Sequence, residues 1–145
     1  MATLDEAKDI LTQLGFDTQR TNDISGRTLL ALAHVSEADT WSQATNEKYR
    51  VRGLMDFMRS DLDYPIAENS RETVRRFVLK QFGEAGLVIK NADDPYRPTN
   101  SPKNNYKLTP EALEVVRAYG SPDFDSVVEE YLSGRLTLIQ QHQAA

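Results

Sequence analysis

The spacing of apolar residues in the first third of the chain predicts helices. Thr3 and Glu6 have the spacing of a capping box, and the residues that follow recur at helical intervals: Leu4, Ala7, Ile10, Leu11 and Leu14. A second helix is predicted over residues 28–33, which are apolar on nearly every side and therefore expected to be buried. Residues 36–52 are polar and predict a loop, whose Trp41 and Tyr49 either fold back over the core or stay exposed for recognition.

The middle of the chain predicts two more helices and a ribbon. One helix begins near residue 53, and a longer one spans about residues 70–83. On a wheel of 100° per residue, the longer helix has an apolar side that consists of Val74, Phe77, Val78 and Phe82. Asn69 and Glu72 offer a capping box at its start. Residues 87–90 and 106–108 predict two short strands, and the residues between them have loop chemistry.

The end of the chain predicts two further helices. Thr109, Pro110 and Glu111 form a strong helix start, and another apolar stripe begins near residue 124, for packing on the first helix or for an interface. We assign residues 1–138 to one domain and residues 139–145 to a polar tail. The order of elements is that of a winged helix-turn-helix, a mainly α fold with a two-stranded β-ribbon and extra N- and C-terminal helices.

Composition restricts the class of protein further. The 145 residues include no cysteine, which excludes disulfides and thiolate zinc sites. No apolar run of about 18 residues is long enough to span a membrane, and the N-terminus lacks the pattern of a secretory signal. We therefore expect a cytoplasmic protein that does not associate with membranes.

The charge is unevenly distributed. The formal net charge is −5, which by itself argues mildly against a nucleic-acid partner. Residues 1–49 and 108–145 each have a net charge of −4, whereas residues 69–107 have a net charge of +4. This basic centre is either a solvated surface or a binding site for a polyanion.

The basic centre coincides with the predicted recognition helix and wing. The side of helix 70–83 opposite the apolar stripe is expected to meet base edges in the major groove, through Asn69, Thr73, Arg76 and Lys80. Phosphates are expected to contact Ser70, Arg71 and Arg75 at the flanks and start of the helix. The wing, at about residues 91–105, is expected to meet the backbone or the minor groove through Arg97, Asn100, Ser101, Lys103 and Asn104. A helical domain that binds protein through its hairpin is the alternative.

Several segments are familiar as sequences. The most specific is the Asp-Asp-Pro-x-Arg-Pro-x-Asn-Ser-Pro segment at residues 93–102, and the others lie at residues 5–11, 27–32, 41–44, 55–57, 69–76 and 81–86. Together they resemble the N-terminal helix-turn-helix region of the BsuBI/PstI family of type II restriction endonucleases, over roughly residues 4–132. The resemblance implies binding of double-stranded DNA at a palindromic site in a bacterial or archaeal restriction–modification system, by enzymes expected to be dimers and to use magnesium.

The chain departs from that family in length, because family members continue into a catalytic domain. The only Glu-x-Lys sequence is Glu6-Ala7-Lys8, and no metal-binding aspartate precedes it at a useful distance. His34 and His142 lie near no acidic cluster, and Asp93-Asp94 predicts a turn rather than a metal site. We therefore expect no catalytic or metal-binding residues in this chain. We expect it to be an N-terminal part of a longer enzyme whose catalytic domain uses Mg²⁺. A further hypothesis is that the domain senses a base methyl group in the major groove. A free-standing winged-helix transcriptional regulator and a protein-interaction domain remain as alternatives.

Overall fold

The computed structural model describes residues 1–135 of the chain. Six α-helices lie at Leu4–Gln13 (α1), Asp23–Ala33 (α2), Val51–Ser60 (α3), Lys80–Glu84 (α4), Pro110–Ala118 (α5) and Phe124–Ser133 (α6). Two strands, Val88–Lys90 (β1) and Tyr106–Leu108 (β2), pair antiparallel with Val88 opposite Leu108. The mainly α winged helix-turn-helix with a two-stranded ribbon is therefore confirmed. The predicted domain limit at residue 138 and the polar tail 139–145 lie outside the described residues.

The N-terminal helices form as their sequences predict. Thr3 accepts a hydrogen bond from the Glu6 amide at 3.2 Å, and the Glu6 carboxylate accepts one from the Thr3 amide at 3.0 Å, so the capping box is present. α1 packs on α2, where a Cβ on Gly26 would lie 2.7 Å from the Leu4 side chain, so the two helices approach closely. α2 is buried on nearly every side and ends at His34, which has a φ of 60°.

The predicted loop 36–52 is more ordered than its polar sequence indicates. A short 3₁₀ turn covers Trp41–Gln43, and the Trp41 ring is buried while its indole N–H donates to Glu6 at 3.2 Å. Tyr49 exchanges two backbone hydrogen bonds of 2.8 Å with Tyr106 and stacks on His34. The loop therefore adds one bridge to the ribbon before α3 begins at Val51, two residues earlier than predicted.

The helix at the centre of the basic segment has an uncommon form. Residues Thr73–Leu79 are π-helical and run directly into α4, and we call these two segments together the central helix. Its core-facing residues at the start are Val74, Val78 and Leu79. Phe77, predicted to be buried, is instead 63% exposed. The wheel was wrong here because the i→i+5 hydrogen bonds of a π-helix turn each residue through less than 100°.

The start and end of the central helix are held by different means. The predicted capping box of Asn69 and Glu72 does not form, because residues 68–70 make a 3₁₀ turn and Glu72 bonds to arginines further along. At the other end, Phe82 is buried and packs edge-to-face on Phe16 at 5.6 Å. Gly86, with a φ of 77°, then turns the chain into β1, a conformation that favours glycine.

The C-terminal helices support the ribbon from the other side. The Thr109 hydroxyl accepts from the Ala112 amide at 3.1 Å and starts α5, as predicted. α6 packs on α5 rather than chiefly on α1. The Tyr131 hydroxyl of α6 donates to the Ala85 carbonyl at 2.6 Å, which ties α6 to the end of the central helix. All these elements share one hydrophobic core.

Candidate nucleic-acid interface

The central helix and the wing loop, residues 91–105, form the two walls of one open groove. This helix–wing groove has a volume of about 470 Å³. The helix side contributes Arg71, Glu72, Arg75 and Arg76, the loop contributes Thr99, Asn100, Ser101, Pro102 and Asn104, and the floor and edge contain Arg50, Val51 and Tyr106. Six residues predicted as DNA contacts from two separate segments therefore line one surface: Arg71, Arg75, Arg76, Asn100, Ser101 and Asn104.

Glu72 holds two arginines at the edge of the helix–wing groove. Its carboxylate accepts from Arg75 at 3.0 Å and from Arg76 Nε at 2.7 Å. The hydrogen bond from the Arg75 guanidinium lowers the pKa of Glu72, and the same bond raises the pKa of Arg75. The Arg76 side chain is nevertheless 70% exposed. Both arginines are thus ordered by a surface ion pair, which is weak enough for an incoming anion to replace.

A second groove lies along the helix towards the ribbon. It has a volume of about 420 Å³ and contains Lys80 of the central helix and Lys90 of β1. Arg75 and Arg76 line this groove as well as the helix–wing groove. The two grooves therefore share two arginines, and each also contains one glutamate, Glu84 in this groove and Glu72 in the helix–wing groove. Such a local excess of cations attracts a polyanion regardless of the acidic total charge.

The wing loop is held by a network centred on Arg97. Its guanidinium donates to Asp93 at 2.9 Å, to the Asn91 side chain at 3.2 Å and to the Lys103 carbonyl at 3.1 Å. The Asn105 side chain donates to the same Asp93 carboxylate at 3.0 Å. The Arg97 hydrogen bonds, and then that from Asn105, hold the pKa of Asp93 well below its usual range. This network explains physically why aspartate and arginine occur together in the segment 93–102.

Asparagines extend the ribbon into the wing loop. Asn91 has a φ of 54° and a buried side chain, and its backbone N–H donates to the Asn105 backbone carbonyl at 2.8 Å. The Asn91 side-chain oxygen accepts from the Asn105 backbone N–H at 2.9 Å, in place of a backbone carbonyl. The Asn104 side chain donates to the Thr99 carbonyl at 2.6 Å. Residues 91–94 form the predicted turn before Pro95, in which the backbone amide of Asp94 donates to the Asn91 carbonyl at 3.0 Å. The Asp94 side chain accepts from the Tyr96 backbone amide, across Pro95, at 3.3 Å.

The predicted site residues therefore have different environments. Arg97 is only 13% exposed and Asn104 9% exposed, and both are bonded within the wing loop. Lys103 is exposed and lines a small pocket of about 260 Å³ with Arg97. Three further predicted residues line none of these grooves: Asn69 and Thr73, which are exposed, and Ser70, which is partly buried.

Two basic residues before α3 were missed in the sequence. Arg50 lines the helix–wing groove, and Lys48 joins it in the small pocket beside the wing, 3.6 Å from Asp93. The backbone bridge between Tyr49 and Tyr106 places both there. The sequence signal that could have revealed them is the alternation of basic and apolar residues over 48–52, which is typical of a strand lying on a surface.

Within residues 1–135, no helix is long and apolar enough to cross a membrane. Over the same residues, no three side chains of His, Asp or Glu come together in a group suited to a metal ion.

The chain is similar to known proteins along nearly its whole length. The family described as "BsuBI/PstI restriction endonuclease HTH domain" matches residues 1–140. The chain is 37% identical over 137 residues to the type II restriction enzyme BsuBI of Bacillus subtilis, and 33% identical over 139 residues to the type II restriction enzyme AplI of Arthrospira platensis. These matches cover 94% and 96% of the chain but 43% of each relative. The structure of SdaI restriction endonuclease superposes with a TM-score of 0.90 at 35% identity, over 99% of this chain and 45% of that one.

Proposed function

Because the chain belongs to the BsuBI/PstI restriction endonuclease HTH domain family, we propose that it binds double-stranded DNA with the central helix in the major groove. The observation that carries this proposal is the helix–wing groove, where basic and amide side chains from the helix and the loop face one space. A major groove admits an α-helix, and its base edges pair with arginine, lysine and asparagine.

The residues divide by the part of the duplex that each is expected to meet. Base edges are expected to contact the exposed side of the central helix and the turn before it, through Asn69, Thr73, Arg76 and Lys80. Phosphates are expected to contact the residues that flank this side, which are Ser70, Arg71 and Arg75, and also Arg50 in the helix–wing groove. The wing meets backbone or minor groove through Asn100, Ser101 and Lys103. Arg97 and Asn104 support it mainly by holding the loop, since both are bonded within it.

The wider role follows from the relatives, of which the chain spans less than half the length. We propose that this domain supplies DNA recognition to a type II restriction endonuclease in the cytoplasm of a bacterium or archaeon. Cleavage, magnesium and homodimerisation belong to the whole enzyme in this proposal. No catalytic step is assigned to the described residues. Recognition of the site is proposed to depend on base methylation, since methyl groups lie in the major groove.

Selection of bound duplexes from a random library tests this function. We expect one enriched sequence, and an affinity whose logarithm falls with the logarithm of salt concentration by about 0.9 per phosphate neutralised. Repeating the measurement with methylated adenine in the enriched site tests the methylation proposal. Binding that is neither sequence-selective nor salt-dependent would contradict the proposal and favour a protein-interaction domain.

A further inference from the structure

Phe77 is exposed where its neighbours along the helix are buried. Its side chain is 63% exposed, whereas Val74, Val78 and Leu79 are each at most 2% exposed. Within residues 1–135, the other exposed large apolar residues are Met1, Ile89 and Tyr96. An exposed phenylalanine forgoes the favourable burial of a large apolar surface. Single exposed apolar residues are ordinary on protein surfaces, so the significance of Phe77 lies in its place on the central helix beside exposed cations.

The helix geometry is what turns Phe77 outwards. In the π-helical segment, the residues that reach the core are separated by four and five positions, as are Val74, Val78 and Leu79. Phe77 follows Val74 by three positions and leaves the core face. Regular α-helical geometry would bring it back, as the 100° wheel indicates. Single-turn π segments often occur at functional sites, and here the segment begins the helix that carries the cations.

The surroundings of Phe77 select the kind of partner. Thr73 lies four positions before Phe77, which is the spacing of same-face neighbours in this π-helical segment, whereas Arg76 is adjacent in sequence and Lys80 follows at the start of α4. All three are exposed. A protein interface is depleted of lysine but enriched in both phenylalanine and arginine, so the ring and Arg76 alone fit either partner. The exposed Lys80 and the further cations that line the two grooves favour a polyanion such as DNA. The combination of one ring with a cationic border therefore fits a duplex.

We propose that Phe77 contacts the C5 methyl group of a thymine in the major groove and makes that base pair part of the recognised sequence. The proposal rests on the proposed DNA-binding function. The methyl group distinguishes thymine from cytosine on the same groove edge. Apolar contact reads it without a hydrogen bond, which the base-facing Thr73, Arg76 and Lys80 supply to other positions.

Replacing thymine by deoxyuridine tests this contact atom by atom. The probe is the duplex enriched from the random library, with each thymine of the site replaced singly by deoxyuridine. We expect the wild-type chain to lose about fourfold in affinity at one position of a half-site, as burial of one methyl-sized group predicts. Phe77→Ala should lose a similar factor on the thymine duplex and nothing more on the deoxyuridine duplex. Phe77→Leu should keep part of the discrimination, and Ile89→Ala is the matched control at another exposed apolar residue, on β1 outside the wing loop.

The possible results distinguish failure of the Phe77 contact from failure of the proposed DNA binding. Equal thymine-to-deoxyuridine losses in wild type and Phe77→Ala, or an enriched site that has no sensitive thymine, would overturn the Phe77 contact while leaving DNA binding intact. Self-association of the wild type that Phe77→Ala abolishes, without any thymine effect, would assign the ring to a second copy of the chain instead. Absence of duplex binding by the wild type would overturn both proposals. Because Phe77 is exposed, unchanged thermal unfolding of the variants is expected and verifies that they fold.

Discussion

The central helix and the wing loop both contain arginine, but they use it differently. On the helix, the Arg76 side chain is 70% exposed and pairs with Glu72, whose side chain is 55% exposed. In the wing loop, the Arg97 side chain is 13% exposed and donates to a carboxylate, an amide side chain and a backbone carbonyl. The cations of one basic segment therefore divide into two kinds. Some, such as Arg76, are presented to solvent, and others, such as Arg97, are held by hydrogen bonds within the loop.

The largest effect is expected from removing the presented cations. Arg76→Ala and Lys80→Ala should each weaken binding to the enriched duplex by roughly fivefold to a hundredfold, the usual cost of losing one base contact. Thermal unfolding should be unchanged, because exposed substitutions without special contacts have small effects. Binding isotherms and thermal melts measure both. Lys8→Ala is the matched control, since Lys8 lies on α1 in a surface ion pair with Asp23. Unchanged affinity in both variants would contradict the assignment of the central helix as recognition helix.

A smaller and opposite pattern is expected for the cation held in the wing. Arg97→Ala should lower the melting temperature by a few degrees and speed hydrogen exchange over residues 91–105. Duplex affinity should fall less than in the helix variants, through a loosened loop. Arg97→Lys should not rescue the loop, because a lysine cannot donate in the planar fork that bonds two groups at once. Lys103→Ala, at an exposed wing residue, should leave exchange unchanged. If Arg97→Ala abolished binding with the loop still protected, Arg97 would be a direct DNA contact.

A third effect is expected at the acid that pairs with the helix arginines. Glu72→Gln removes a negative charge from the groove edge and frees Arg75 and Arg76 from their ion pairs. We expect duplex affinity to rise by about two- to fivefold, the order of an exposed ion pair, with a steeper dependence on salt. Titrations at two salt concentrations measure it. Weaker binding confined to one cytosine position would instead make Glu72 an acceptor for that base.

The division between presented and held cations was not available from the sequence, although most of the fold was. Thr3–Glu6 and Thr109–Pro110 fixed their helix starts because cap chemistry is local. The order of helices and ribbon likewise predicted that the central helix precedes the ribbon, although the capping box predicted at its start does not form. In contrast, the partners of Arg97 lie up to twelve positions apart from one another along the wing, at Asn91 and Lys103, and no periodicity reports such contacts.

Two other features also depend on the three-dimensional fold and could not be predicted from the sequence pattern. The exposure of Phe77 depends on a change from α- to π-helical hydrogen bonding, whereas a helical wheel assumes one fixed angle per residue. The position of Arg50 in the helix–wing groove depends on the Tyr49–Tyr106 bridge between segments far apart in the chain. All the predicted DNA contacts stay predictions. Asn69, Ser70 and Thr73 differ from the others in lining neither the helix–wing groove nor the second groove.

The smallest effect is expected from pH, and it distinguishes the wing most cleanly from the helix. Arg97 holds the pKa of Asp93 below its usual range, so the stabilisation from this pair is fully present above the ordinary aspartate pKa near 3.9 and is lost only as pH falls through the lower value of the folded protein. Hydrogen exchange in the wing should therefore show no pH-dependent opening between about pH 5 and 8.

Carbon-detected NMR of the Asp93 carboxyl should give a pKa below 3.9, and Arg97→Ala should raise it. Arg76→Ala should leave that pKa unchanged, because Arg76 pairs with Glu72 on the helix. A pKa of Asp93 that did not respond to Arg97→Ala would mean that the other donors, Asn105 above all, hold the carboxylate.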